Sequence, residues 1–167
     1  MREKLTKSDI QKIEEEIEYR KLVVRKEALE AVKEARAHGD LSENFEYHAA
    51  KKDKNKNESR IRYLERMIKT AEVIEDDSKE DEVGLNNTVT VYFEEDEMEE
   101  TYRIVTSVRG NSLGGLISIE SPMGKALVGK KVGERVEVKV NEGNSYFVII
   151  KSIEKTTDDS QDKLRGY

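Results

Sequence analysis

The fold of this 167-residue chain is decided by residues 34–50, EARAHGDLSENFEYHAA, because they separate two long helical patterns. Gly39 is the only glycine before Gly84, and glycine commonly follows the C-terminus of a helix. On both sides of it, apolar and small residues recur every three or four positions. The first pattern, interrupted at Arg20, comprises Ile10, Ile13, Ile17, Val24, Ala28, Ala31 and Ala35, and the second comprises Tyr47, Ala50, Lys54, Asn57, Ile61, Leu64, Ile68 and Ala71. Two such stripes with a short connection predict an antiparallel coiled-coil hairpin over residues 1–75.

The rest of the chain has a different composition. Nine of the ten glycines and the only proline, Pro122, lie at or after Gly84, and the apolar residues alternate there as in strands. Ser121 and Pro122 form a helix-start signal, an N-cap followed by proline. We therefore expect an acidic linker at 76–83, a small α+β domain at 84–154 with one short helix, and a frayed polar tail at 155–167.

Composition excludes several classes of protein. The chain has no cysteine, which excludes disulfide scaffolds, thiolate zinc sites and cysteine nucleophiles. Charged residues make up 40% of it, well above the roughly 25% of ordinary domains, so an extended solvated surface is expected. No apolar run approaches the roughly 20 residues of a membrane span, and the N-terminal residues lead into no signal-peptide core. We expect a cytoplasmic monomer that does not bind membranes.

The turn of the hairpin allows two compatible interpretations. In the first, Asp40 is the N-cap of the second helix and Glu43 is its N3 residue, a capping box favoured by the helix dipole. In the second, the two carboxylates point outward from the end of an arm about 45 Å long. Two carboxylates are what Mg²⁺ accepts while it retains several of its waters.

Three stretches of the chain resemble the bacterial transcript cleavage factors of the Gre family, GreA and GreB. They are residues 34–50, residues 60–74 and residues 118–134, in the order and spacing expected of that family. The resemblance implies that the C-terminal domain has an FKBP-like fold and binds RNA polymerase, while the coiled coil enters the polymerase's secondary channel. Asp40 and Glu43 match the family's tip carboxylates, which help the polymerase hold a second Mg²⁺ and cleave its own backtracked nascent RNA. The protein is therefore expected not to be an enzyme alone.

Further contacts are expected along the second helix and in the second domain. Basic residues follow the tip, where extruded RNA would run, although a solvated helix face explains them as well. The expected RNA contacts are Lys51, Lys52, Lys54, Lys56 and Arg60, and the expected polymerase contacts are Ser121, Pro122 and Met123, for which a helix start is an equally good explanation. Phe45, which stands where the family usually has a small residue, and Tyr47 are expected to pack in the hairpin or contact the polymerase rather than stack on bases.

Two other functions fit the same architecture. Some relatives share the fold and inhibit polymerase, but here Asp40 and Glu43 stand within an intact motif. An FKBP-like domain beside a coiled coil also suggests a prolyl isomerase or chaperone. Isomerase pockets are lined with aromatic residues, and the second domain has no tryptophan and few other rings before its tail.

Overall fold

A computed structural model describes residues 2–39 and 44–166, which form two compact units. The first unit comprises residues 2–3 and 9–71, and the second comprises residues 4–8 and 72–166. Within the described residues, four α-helices and seven strands build the two units. The helices are α1 (Lys7–Tyr19), α2 (Arg25–Arg36), α3 (Phe45–Thr70) and α4 (Pro122–Leu127), with a π-helical segment, Arg20–Val24, between α1 and α2. The strands are β1 (Lys4–Leu5), β2 (Glu72–Val73), β3 (Thr88–Phe93), β4 (Met98–Val105), β5 (Leu116–Ser118), β6 (Arg135–Asn141) and β7 (Asn144–Glu154).

The first unit is the predicted helical hairpin. Ile13 on α1 and Ile61 and Leu64 on α3 are fully buried, so the large aliphatic residues lie near its open end, as the sequence predicts. Toward the turn, Ala35 is the buried apolar residue of α2. One position of the first stripe differs from the prediction, because Ala31 is exposed and Val32 is half-buried in its place.

The second unit is built on a five-stranded sheet. Its strand order is β5-β4-β3-β7-β6, with β4 and β5 parallel and the other neighbouring pairs antiparallel. Strands β1 and β2 form a separate parallel pair of two residues each. The α+β class of this unit is therefore confirmed. The short parallel pair was not predicted, since two residues are too few to show any alternation.

Helix α4 begins as the sequence predicts. The Ser121 hydroxyl accepts a hydrogen bond from the backbone N–H of Gly124 at 3.0 Å, and Pro122 occupies the first turn. Gly124 packs so closely against the carbonyl of Ser118 that a Cβ there would collide with it. Leu127 is buried in the core of the sheet, together with Val89 and Ile150.

The segments that flank the sheet are tied to it. Val83, at the end of the predicted linker, is fully buried in the core, and the Lys155 ammonium donates to Ser78 Oγ and to the carbonyl of Glu82. Further along the tail, Asp162 accepts hydrogen bonds from Arg103 and Arg109. The prediction of a frayed tail is wrong, because Lys155 and Asp162 of the tail both form hydrogen bonds with other parts of the second unit.

Candidate functional site

Asn44 joins the two helices of the hairpin beside the predicted tip. Its side-chain oxygen accepts a hydrogen bond from the backbone N–H of Tyr47 at 3.0 Å, which makes it the N-cap of α3. Its side-chain nitrogen donates to the carbonyl of Ala35 at 2.6 Å, near the C-terminus of α2. A single amide therefore satisfies one backbone group on each helix.

The capping interpretation of Asp40 and Glu43 is wrong for this helix. Asn44 provides the cap directly before Phe45, the first residue of α3, so Glu43 precedes the cap and does not occupy N3. Asp40 and Glu43 themselves lie outside the described residues. Capping of α3 therefore explains neither carboxylate, and the interpretation of them as metal ligands stays a prediction.

The neck of the hairpin, residues 36–39 and 44–48, holds several charged and aromatic side chains together. The Arg36 guanidinium lies over the ring of Tyr47, 5.6 Å from its centroid, and its hydrogen bond lowers the pKa of the Tyr47 hydroxyl. The His48 ring meets the Tyr47 ring edge-on, and His38 Nδ1 lies 3.2 Å from Glu46 Oε2. Tyr47 thus packs in the hairpin as expected. Phe45 does not, because 86% of its surface is exposed.

The five basic residues of α3 that were expected to contact RNA fall into three groups. Lys51, Lys52 and Lys56 are exposed, while Lys54 is half-buried on the predicted seam. Arg60 is buried, with its side chain only 6% exposed, and its Nε donates to Glu16 Oε2 at 3.0 Å. The prediction that Arg60 contacts RNA is therefore wrong, since its guanidinium is used inside the hairpin.

Arg60 belongs to a polar layer, formed by Glu16, Arg20, Asn57 and Arg60, that the sequence analysis missed. Arg20 donates to Glu16 Oε2 at 2.7 Å and to Asn57 Oδ1 at 3.0 Å. Burial of the Glu16 carboxyl raises its pKa, but the hydrogen bonds and charges of Arg60 and Arg20 outweigh this effect and hold the pKa below its ordinary value of 4.5. The sequence did contain an indication of this layer, because Arg20 interrupts the first stripe and Asn57 is a polar residue in the second.

The three residues expected to contact polymerase have different environments. Ser121 is occupied as the cap of α4, Pro122 is exposed, and Met123 packs against the core of the sheet. Of these three side chains, Pro122 is thus the one most available to a partner.

Residues 2–39 and 44–166 contain neither a metal-binding cluster nor a membrane-spanning helix. Within these ranges no cluster of three or more histidine, aspartate or glutamate side chains could hold a metal ion. The helices in the same ranges are too short or too polar to cross a bilayer. Asp40 and Glu43 lie outside these ranges, and a Mg²⁺ site formed by their carboxylates stays a prediction.

Comparison with known families now identifies the group to which the chain belongs. A family model described as the N-terminal region of GreA/GreB transcription elongation factors matches residues 3–73, and the model for the C-terminal region matches residues 78–155. The chain belongs to the GreA/GreB family. This confirms the resemblance on which the functional expectations rest.

Relatives similar in sequence support the same assignment. Transcription elongation factor GreA of Bacillus subtilis is 46% identical over 147 residues, which cover 88% of this chain and 94% of that protein. GreA of Caldanaerobacter subterraneus is 50% identical over 140 residues, covering 83% and 89% of the two chains. Among solved structures, GreA factor homolog 1 of Thermus thermophilus is 27% identical, covering 92% of this chain and 99% of its own, with a TM-score of 0.42.

Proposed function

We propose that this chain binds bacterial RNA polymerase and stimulates the polymerase's cleavage of backtracked nascent RNA, which rescues arrested complexes. The observation that carries the proposal is the capping of α3 by Asn44. Because Asn44 supplies the N-cap of α3, the N-cap and N3 positions of this helix belong to residues other than Asp40 and Glu43. Two acidic residues beside the end of a helix about 39 Å long are well suited to reach into a narrow channel.

Each unit has its own task in this proposal. The second unit docks on the polymerase, with Pro122 as the most accessible of the expected contacts. The hairpin enters the secondary channel, where the carboxylates of Asp40 and Glu43 complete the ligand set of a loosely held Mg²⁺. When bound, such an ion stabilises the attacking and leaving oxygens of a phosphodiester. The hydrolysis belongs to the polymerase, so the factor is not an enzyme by itself.

Lysines on α3 support the RNA side of the proposal. Lys51, Lys52 and Lys56 are exposed on the helix that follows the tip, and lysine contacts to phosphates do not depend on sequence and weaken with salt. Extruded RNA that leaves the active site along α3 would meet these three cations.

The test is RNA cleavage in a stalled, backtracked polymerase complex. Asp40→Asn and Glu43→Gln should each nearly abolish stimulated cleavage, and high Mg²⁺ should restore part of it by mass action. Polymerase binding and melting temperature should be unchanged, because neither residue caps α3. Glu46→Gln is the matched control and should remain active.

Two results would overturn the proposal. A fully active Asp40→Asn protein would show that the carboxylate has no part in cleavage. A wild-type protein that binds polymerase and slows elongation without shortening the RNA would instead support the inhibitor alternative.

A further inference from the structure

Phe45 is an aromatic residue at the tip without a packing role. Of the phenylalanine and tyrosine rings that the structure describes, it is the most exposed, at 86%, followed by Tyr19 at 58% and Tyr63 at 47%. The neighbouring ring, Tyr47, is held between Arg36 and His48. An exposed phenyl group presents a flat apolar surface to water, and covering it with a ligand would be favourable.

The backbone that carries Phe45 is firmly held. Phe45 is the first residue of α3, directly after Asn44, whose amide is fixed by hydrogen bonds to Tyr47 and to Ala35. A ring on a fixed backbone needs to order only its own two side-chain torsions when it binds. Phe45 is therefore a pre-organised contact.

The face of α3 on which Phe45 lies carries positive charge. At about 100° per residue, Lys52 and Lys56 fall within about 20° of Phe45 around the helix, two and three turns further on. The acidic residues of this part of α3, Glu46, Asp53 and Glu58, fall at least about 80° away from it. Both lysines on this face are exposed. An aromatic ring followed by exposed cations along one face is the combination that binds single-stranded nucleic acid.

We propose that Phe45 stacks on a base of the extruded RNA while Lys52 and Lys56 contact its phosphates. The inference rests on the proposed function. It adds a residue that positions the RNA, a role that the tip carboxylates do not fill. A stacked base would hold the RNA beside Asp40 and Glu43 for cleavage. Stacking accepts any base, as a factor that acts on arbitrary transcripts requires.

The direct test places 2-aminopurine, a fluorescent base quenched by stacking, near the 3′ end of the RNA in a backtracked polymerase complex. Ca²⁺ replaces Mg²⁺ so that the RNA stays intact. Wild-type full-length protein and Phe45→Tyr should quench the fluorescence, whereas Phe45→Leu, which remains apolar but has no ring, should not. Tyr19→Leu, which removes an exposed ring from α1, is the control and should quench like wild type.

Cleavage provides a second readout. In Mg²⁺, Phe45→Leu should need about tenfold more factor for half-maximal cleavage, as expected for the loss of one stacked base. An abasic nucleotide at the stacking position should remove the difference between wild type and Phe45→Leu. Melting temperatures should agree, because the ring is exposed.

The outcomes separate this proposal from the proposed function. Equal quenching by wild type and Phe45→Leu would overturn stacking even if both proteins stimulate cleavage. Quenching that depends on the ring, without cleavage in Mg²⁺, would support stacking and reject the proposed function. A cleavage defect in Phe45→Leu that persists with abasic RNA, without ring-dependent quenching, would show that Phe45 enters an apolar pocket of the polymerase instead.

Discussion

At the scale of single residues, Asn44 connects the two helices of the hairpin near the tip. An asparagine at an N-cap accepts one backbone N–H of the first turn, and Asn44 does this for Tyr47. Its side-chain nitrogen donates to the carbonyl of Ala35, which lies in the last turn of α2. The residue therefore sets both where α3 begins and how α3 meets α2.

The two roles of Asn44 can be separated by substitution. Asn44→Ala should lower the free energy of unfolding by about 0.5–2 kcal/mol through the lost cap, and by a further amount through the lost bond to Ala35. Asn44→Asp keeps the cap and should lose only the second contribution. Thermal unfolding followed by circular dichroism measures both, with Asn55→Ala on the exposed face of α3 as control. Equal melting temperatures for Asn44→Ala and Asn55→Ala would contradict this account.

At the scale of secondary-structure elements, the first helical segment changes its winding where its apolar stripe is interrupted. Residues Arg20–Val24 form a π-helical segment, in which the N–H of Arg25 bonds the carbonyl of Arg20. The amide of Asn57 also donates to that carbonyl, at 3.3 Å. Insertion of a partner into a helix ladder is a known cause of such irregularities. Asn57 thus connects the π segment to the polar layer, and together these features fix the register of the two helices in the hairpin.

The polar layer should make the hairpin sensitive to acid. Because the pKa of Glu16 is lower in the folded state than its ordinary value of 4.5, its ionised form contributes stability above that pH. This contribution is lost as the pH falls through the folded-state pKa. Glu16→Gln should lower the free energy of unfolding by about 2 kcal/mol near neutral pH, by weakening hydrogen bonds to two arginines.

Chemical denaturation over a pH series checks this prediction. Wild type and Glu16→Gln should differ most near neutral pH and converge in acid, well below pH 4.5. Glu18→Gln, an exposed acid on the same helix, should behave like wild type at every pH. A gap between wild type and Glu16→Gln that stays constant into acid would show that the carboxyl acts without its charge.

At the scale of the whole molecule, residues distant in sequence complete the second unit. Asp162, in the tail, lies 2.7 Å from the guanidinium of Arg103 and 2.8 Å from that of Arg109. The Arg109 side chain is completely buried, and a buried cation requires a counter-charge to offset its desolvation. The tail is therefore part of the folded unit.

Loss of the tail carboxylate should destabilise the sheet. Asp162→Ala should cost about 3 kcal/mol, because it removes one partner of a buried ion pair. Lys163→Ala, on the exposed neighbouring position, is the control. Hydrogen exchange should show the loss of protection in β4, with α3 unaffected. Unchanged exchange in β4 would mean that Asp159, 3.8 Å from Arg109, is a sufficient partner.

The sequence by itself determined the two-part architecture and the family. Apolar periodicity extends over tens of residues in the hairpin, and strand alternation with the Ser121–Pro122 signal indicated the α+β unit, because these patterns depend only on local geometry. The motif from Glu34 to Ala50 identified the family, and through it Asp40 and Glu43 as predicted ligands.

Only the tertiary structure decided which polar residues are buried or paired within the protein. Arg60 and Lys52 are both cations on α3, yet the first is buried against Glu16 and the second is exposed, because Glu16 lies 44 residues away in sequence and only folding brings it near. Asn44 rather than Asp40 caps α3 for a similar reason, since its second hydrogen bond depends on the position of α2. Burial and pairing across long sequence distances are not visible in a local pattern, and they determined which predicted contacts remain available.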